Sequence, residues 1–278
     1  MTKKRSLSTI IATILLAFAS VIFIYPLFYL LFYSLKSNVE IFGANPFGLP
    51  NEWLFSNYTR AFEAFDIVGY FGNSVFVSLI SLTGILCLAL PFAYAVTRLR
   101  WKLKTAATTY LMLGLFIPVQ AIIIPLSILI RDLHLAGTHF TLIVPYIAFN
   151  LGFAIMVTSI GFMEVPHEME EAAFIDGASI FKCFFKIILP MIKPSIATAI
   201  IFAFLNVWNE YTVATILVHQ QELKTLPIGL SSFVGEYSTE WGPMGATLVV
   251  ASIPTIVVYL LLSENVEKAL AIGGGVKG

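Results

Sequence analysis

Glu171-Ala172-Ala173-Phe174-Ile175-Asp176-Gly177, followed by Ile187-Ile188-Leu189-Pro190, is a polar-edged stretch set between two long apolar runs. Pro166 stands at a first-turn position, Glu168, Glu170 and Glu171 place acidic side chains in the opening turns, and Gly177 follows Asp176. Proline suits a first turn because its missing N–H would be unpaired there anyway. Acidic groups complement the positive end of the helix, and glycine accepts the left-handed turn that ends one. The pattern predicts a short helix stopping at Gly177 and a second from Ser179 to Ile188, before Pro190. A chain otherwise suited to lipid presents a shaped surface to water here.

Outward from this stretch the chain is apolar. Of its 278 residues 58% are hydrophobic and 12% charged, and mean hydropathy is +0.89, well beyond the range of a soluble domain. The formal net charge is zero, so no basic face argues for nucleic acid.

A membrane-crossing helix needs roughly 20 mostly apolar residues to cover ~30 Å of hydrocarbon. Charge-free windows run from Arg5 to Lys36, Asp66 to Arg98, Lys104 to Arg131, Asp132 to Glu164 and Glu240 to Glu264; another, Lys193 to Glu222, is interrupted only by Glu210. The expectation is an all-α membrane protein with six transmembrane helices near 9–35, 74–97, 106–130, 141–162, 194–217 and 243–263, one membrane domain over 1–278, and a polar loop at 163–193. Backbone groups in hydrocarbon must pair within their own segment, so Pro91, Pro118, Pro125 and Pro145 are read as kinks rather than stops.

Lysine and arginine placement sets orientation. With the N-terminus inside, Lys3, Lys4, Arg5, Arg98, Arg100, Lys102, Lys104, Lys182, Lys186, Lys193, Lys268 and Lys277 are inside, against Lys36, Arg60, Arg131 and Lys224 outside. Both termini and the 163–193 loop are therefore expected in the cytoplasm. Lys3-Lys4-Arg5 before an apolar run could open a signal peptide, but the run continues to about Leu35, too long for a signal core. A retained first helix is expected. The segment from Ser37 to Ser74 is the longest external one, with room for a short amphipathic helix near Thr59 to Phe65.

Cys87 and Cys183 give neither a disulfide framework nor metal-ligand spacing. Cys183, in the polar loop, is expected to react with polar thiol reagents, and Cys87 to be protected. His134, His139, His167 and His219 are scattered, so no metal or catalytic site is expected. Gly273-Gly274-Gly275 has no following helix to hold a phosphate. Neither a nucleotide site nor a catalytic constellation is predicted.

Glu-Ala-Ala, three residues, Gly, nine residues, Ile, one residue, Leu-Pro resembles the cytoplasmic coupling loop of permease subunits of ATP-binding-cassette importers, and matches at every motif position. The resemblance implies the type I permease fold of that class. It implies a second homologous permease subunit, two nucleotide-binding ATPase subunits that hold ATP and magnesium, and an extracellular or periplasmic solute-binding protein, with no cofactor in this chain. By the same resemblance Glu170, Glu171, Ala172, Ala173, Asp176, Gly177, Ile187, Leu189 and Pro190 form the docking loop. Glu171 is its charged anchor, Ala172 and Ala173 allow close approach, and Gly177 makes the bend.

Phe71-Gly72-Asn73-Ser74, Trp208-Asn209-Glu210-Tyr211, Trp241 and the ending Gly273 to Gly278 resemble the carbohydrate-uptake branch, that of maltose, oligosaccharide and glycerol-phosphate importers. The chain departs from it at Gly274 and at Glu264-Asn265-Val266-Glu267. Glu210 is the lone acidic residue within an expected span, and an unpaired charge there is costly. Trp208, Asn209, Glu210 and Tyr211 are therefore candidates for the translocation path, with pairing between helices as the alternative for Glu210 and an interfacial position for the aromatics. A related polar solute such as glycerol phosphate is the alternative cargo. A secondary transporter is the competing class, disfavoured because neither internal symmetry nor several buried ionisable groups appear.

Overall fold

A computed structural model describes residues 7–235 and 238–274. Lys3, Lys4, Arg5, Lys277 and the last residues of the glycine-rich ending lie outside them. Among the described residues the elements are helical, apart from one isolated antiparallel bridge between Val234 and Thr239. The main helices are α1 (Leu7–Tyr33), α2 (Ser56–Ala64), α3 (Ile67–Arg98), α4 (Lys104–Leu113), α5 (Val119–Asp132), α6 (Phe140–Glu164), α7 (Glu168–Ile175), α8 (Ile180–Met191), α9 (Lys193–Trp208), α10 (Thr212–Leu217) and α11 (Trp241–Gly274).

Four stretches, Ile11–Tyr33, Ile67–Arg98, Phe140–Glu164 and Trp241–Glu264, are each long and apolar enough to cross a membrane. The third apolar window is a bent pair instead, and the helix that opens the fifth is bent against one that lies in the expected 163–193 loop. Lys104–Phe116 and Val119–Asp132 meet at 108°, and Ile180–Met191 meets Lys193–Trp208 at 76°. Counting each pair as one gives up to six candidate spans. Pro91, Pro125 and Pro145 do lie inside helices, but Pro118 is a stop, correcting its reading as a kink. Its ring pushes Ile117 into the extended region (φ −83°, ψ 116°), and α5 begins only after it.

The chain divides into two compact units. One takes Met1–Ile67 with Gly229–Ser252. Here Lys36 is buried, its ammonium donating to the carbonyls of Asn45 (2.6 Å) and Pro46 (3.3 Å). Asn57, on α2, donates to the carbonyls of Ser34 and Lys36. Asn38 bonds the Thr239 carbonyl and the Trp241 N–H, and Arg60 pairs with Glu240.

The other unit takes Val68–Ile228 with Ile253–Gly278, and α6 is its axis. Glycines let its neighbours come close: a Cβ at Gly152 would lie 3.0 Å from the Leu111 carbonyl of α4, and one at Gly161 only 2.4 Å from Ser195 Oγ of α9. Small residues at such crossings allow close van der Waals contact between backbones in lipid. One core joins Ala89, Ala93 and Tyr94 of α3 to Ala154, Ile155 and Phe162 of α6, Ala173 of α7 and Cys183, Phe184 and Ile188 of α8. A second core joins Leu142, Ile143 and Tyr146 of α6 to Val207 and to Val213, Ala214 and Leu217 of α10.

Candidate functional site

The α7–α8 elbow follows from its sequence residue by residue. Gly177 has φ +77°; its N–H bonds the Phe174 carbonyl (3.0 Å), and the Ala178 N–H bonds the Ala173 carbonyl (2.9 Å). This pair of bonds closes the last turn of α7 as a Schellman motif, with Asp176 as C-cap. Two residues on, the Ser179 hydroxyl accepts from the Lys182 N–H and starts α8. A π-helical turn, Phe184–Ile188, follows within α8.

Phase decides which side chains face the protein. Ala173 is buried in the first core, whereas Glu171, Ala172, Asp176, Gly177 and Pro190 are exposed and Ile187 and Leu189 are half-buried. Ile175 is 85% exposed at the tip. Glu170 turns inward: its Oε1 lies 3.2 Å from Nε of Arg98, and both side chains are nearly buried. Arg98 ends α3. The other arms of its guanidinium donate to the carbonyls of Phe162 and Val165 and meet His167 Nδ1 at 2.9 Å. One guanidinium thus satisfies carbonyls left open at the end of α6 and holds the first turn of α7. Sequence reasoning grouped Glu170 with the docking face and counted Arg98 only as an inside charge. The spacing of α7 fixes the angle between neighbours but not which of them faces inward.

Cys183 is fully buried among Phe162, Phe184 and Ile188, while Cys87 is exposed on α3. Burial overturns the accessibility expected for the Cys183 thiol. Polarity along the loop does not keep all of it in water: the start of α8 packs one face against α3 and α6.

Around Glu210 the helix breaks. The α9 helix ends at Trp208, and the Glu210 carboxylate accepts from the Val213 N–H (2.7 Å), the Ala214 N–H (3.0 Å) and the Tyr146 hydroxyl of α6 (2.7 Å). It caps α10 and pins it to α6. Trp208 is buried, stacked on Phe204 and edge-on to Phe71. Asn209 and Tyr211 are exposed. One turn before Glu210, Asn206 on α9 donates to Asn150 of α6 at 3.1 Å, and Asn150 donates to the Tyr146 carbonyl. Tyr146, Asn150, Asn206 and Glu210 make a polar seam between two apolar helices. The two asparagines were legible as amides inside charge-free windows.

The architecture is that of a multi-pass, all-helical membrane component whose transmembrane bundle carries an elbow of two short helices. Residues 85–272 match the family described as "binding-protein-dependent transport system inner membrane component". The chain belongs to that family, and is thus a membrane permease component of a binding-protein-dependent importer. It is 33% identical over 261 residues to the diacetylchitobiose uptake system permease protein NgcG of Streptomyces coelicolor, covering 93% of this chain and 86% of that protein. It is 32% identical over 254 residues to the probable ABC transporter permease protein YurM of Bacillus subtilis, covering 91% and 84%. Among solved structures, a chain of a bacterial ABC transporter involved in the import of the acidic polysaccharide alginate shares the fold: TM-score 0.77, 24% identity, 95% of this chain and 99% of that one.

Proposed function

We propose that this chain is the subunit through which a sugar or oligosaccharide crosses the membrane, driven by ATP hydrolysis on two separate subunits that dock on the α7–α8 elbow. ATP and magnesium belong to those partners. A second homologous permease completes the pathway, and an extracellular or periplasmic binding protein delivers the cargo. Six crossings, with both termini and the elbow in the cytoplasm, agree with the lysine and arginine asymmetry.

One observation carries the reading: Glu170 and Ala173 lock the elbow inward while Glu171 and Ala172 remain free on its outer face. A coupling element must be rigid toward its own bundle and exposed toward its driver, since a partner biases a two-state element only through contacts that differ between the states. The names of relatives, one for diacetylchitobiose uptake and another for transport of starch degradation products, support the cargo class. Asn209, Glu210 and Tyr211 with Asn206 are assigned to the path, where amides, a carboxylate and an exposed ring offer hydroxyl-bearing solutes partners. The Trp208 ring, packed on both Phe204 and Phe71, acts by holding the break in place.

The test is reconstitution with the cognate ATPase and binding protein. Glu171→Lys leaves insertion intact but turns attraction at the docking groove into repulsion, a change that can reach several kcal/mol. Uptake of labelled oligosaccharide and co-purification of the ATPase are expected to fall together. Normal values for both would make the elbow an ordinary connector and overturn the reading.

A further inference from the structure

We infer that the groove between the end of α3 and the start of α8 binds one anionic phospholipid, with an acyl chain in the groove and the phosphate among lysine and arginine side chains at its rim. The groove holds about 190 Å³. Tyr94, Ala95 and Leu99 form one wall, and Ile180, Phe181 and Phe185 the other. Phe181 and Phe185 are 73% and 60% exposed. In α8 the residues at 180, 181, 184 and 185 recur as i, i+1, i+4 and i+5, so Ile180, Phe181, Phe184 and Phe185 share a face. Lys182 and Lys186, one turn apart, both lie beyond one edge of that face. Across the groove, Arg100 and Lys102 follow Leu99, and Trp101 ties back through its Nε1–H to the Ala95 carbonyl at 3.1 Å.

Charge selects the occupant. Arg100, Lys102, Lys182 and Lys186 are all exposed, and none has an ion-pair partner among the described residues. Arg98, on the other side of Leu99 in the chain, is already committed to Glu170. An apolar slot whose lining residues Leu99, Phe181 and Phe185 are followed directly in the chain by the exposed cations Arg100, Lys182 and Lys186 matches a molecule that is apolar at one end and anionic at the other, lying at the level of lipid headgroups. The inference is independent of the cargo.

The test places a photo-crosslinking phenylalanine analogue at Phe181 of the full transporter complex, in nanodiscs of equal phosphatidylglycerol and phosphatidylcholine. Adducts are expected on phosphatidylglycerol in several-fold excess. Lys182→Gln and Lys186→Gln are each expected to lower that preference about fivefold, until it reaches parity, from the ~1 kcal/mol worth of a basic residue at a lipid surface. Equal capture of both lipids, or an adduct to a protein subunit, overturns the inference. Native mass spectrometry of the same complex gives a second reading. Ala95→Phe fills the slot and leaves all four cations, and the retained phosphatidylglycerol is expected to be lost. Its persistence, or its displacement by soluble glycerol 1-phosphate, would show that no acyl chain is held there.

Discussion

Arg98 and Glu170 show how much one pair of side chains can carry. Removing one partner of a buried ion pair strands the other charge and commonly costs about 3–5 kcal/mol, so Arg98→Ala and Glu170→Gln are both expected to lower the thermal midpoint of the purified chain. Glu171→Lys, on the exposed face, is expected to leave that midpoint unchanged. Equal destabilisation by Glu171→Lys would mean that the two carboxylates have exchanged roles. Gly177 poses a different residue-scale question. A Cβ there meets nothing within 4 Å, so its φ of +77°, and not crowding, sets the penalty. Left-handed backbone costs an ordinary residue about 1–2 kcal/mol, and asparagine less. Uptake is therefore expected to survive Gly177→Asn far better than Gly177→Val; equal loss in both would point to a hidden steric contact.

At the scale of elements, the elbow moves only if its seams open, and Cys183 reports on one of them. Its thiol is buried, so a membrane-impermeant maleimide is expected to label it slowly even in inside-out vesicles. Arg98→Ala, which frees α7 from the end of α6, is expected to accelerate labelling severalfold; fast labelling of the parent chain would show that the seam is already open. The break after α9 makes a parallel case. Glu210→Ala removes the acceptor for two N–H groups and one hydroxyl, whereas Tyr146→Phe removes only the hydroxyl. The two are expected to be non-additive in a double-mutant cycle on stability, and full additivity would separate the cap from the α6 contact. What was legible in advance at this scale follows a physical line. Gly177 and the flanking prolines act locally, so the elbow could be read from spacing. The partner of Glu170 lies 72 positions upstream at Arg98, and a 3.6-residue period cannot reveal which of two adjacent carboxylates meets it. Pro118 failed for a similar reason: proline stops or bends a helix according to what neighbouring segments can satisfy, and only packing supplies that.

For the whole molecule, charge-free windows were enough to delimit six apolar segments because hydrocarbon admits few charges. They were not enough to show that two of the six are broken, since hydropathy is blind to direction. Orientation is testable through the most exposed tip: Ile175→Cys is expected to react with an impermeant maleimide in inside-out vesicles but not in intact cells. Labelling from outside would invert the topology and remove the elbow from any ATPase. The same tip bears on the chain's life before assembly. Phe174 and Ile175 are 45% and 85% exposed on α7, an apolar surface that a finished complex would cover. A permease made without its partners therefore displays what proteolytic quality control recognises. Its half-life in a pulse-chase is expected to be short when synthesised alone and to lengthen when the ATPase is co-expressed, so the surface proposed to transmit motion would also keep the supply of its subunits in step.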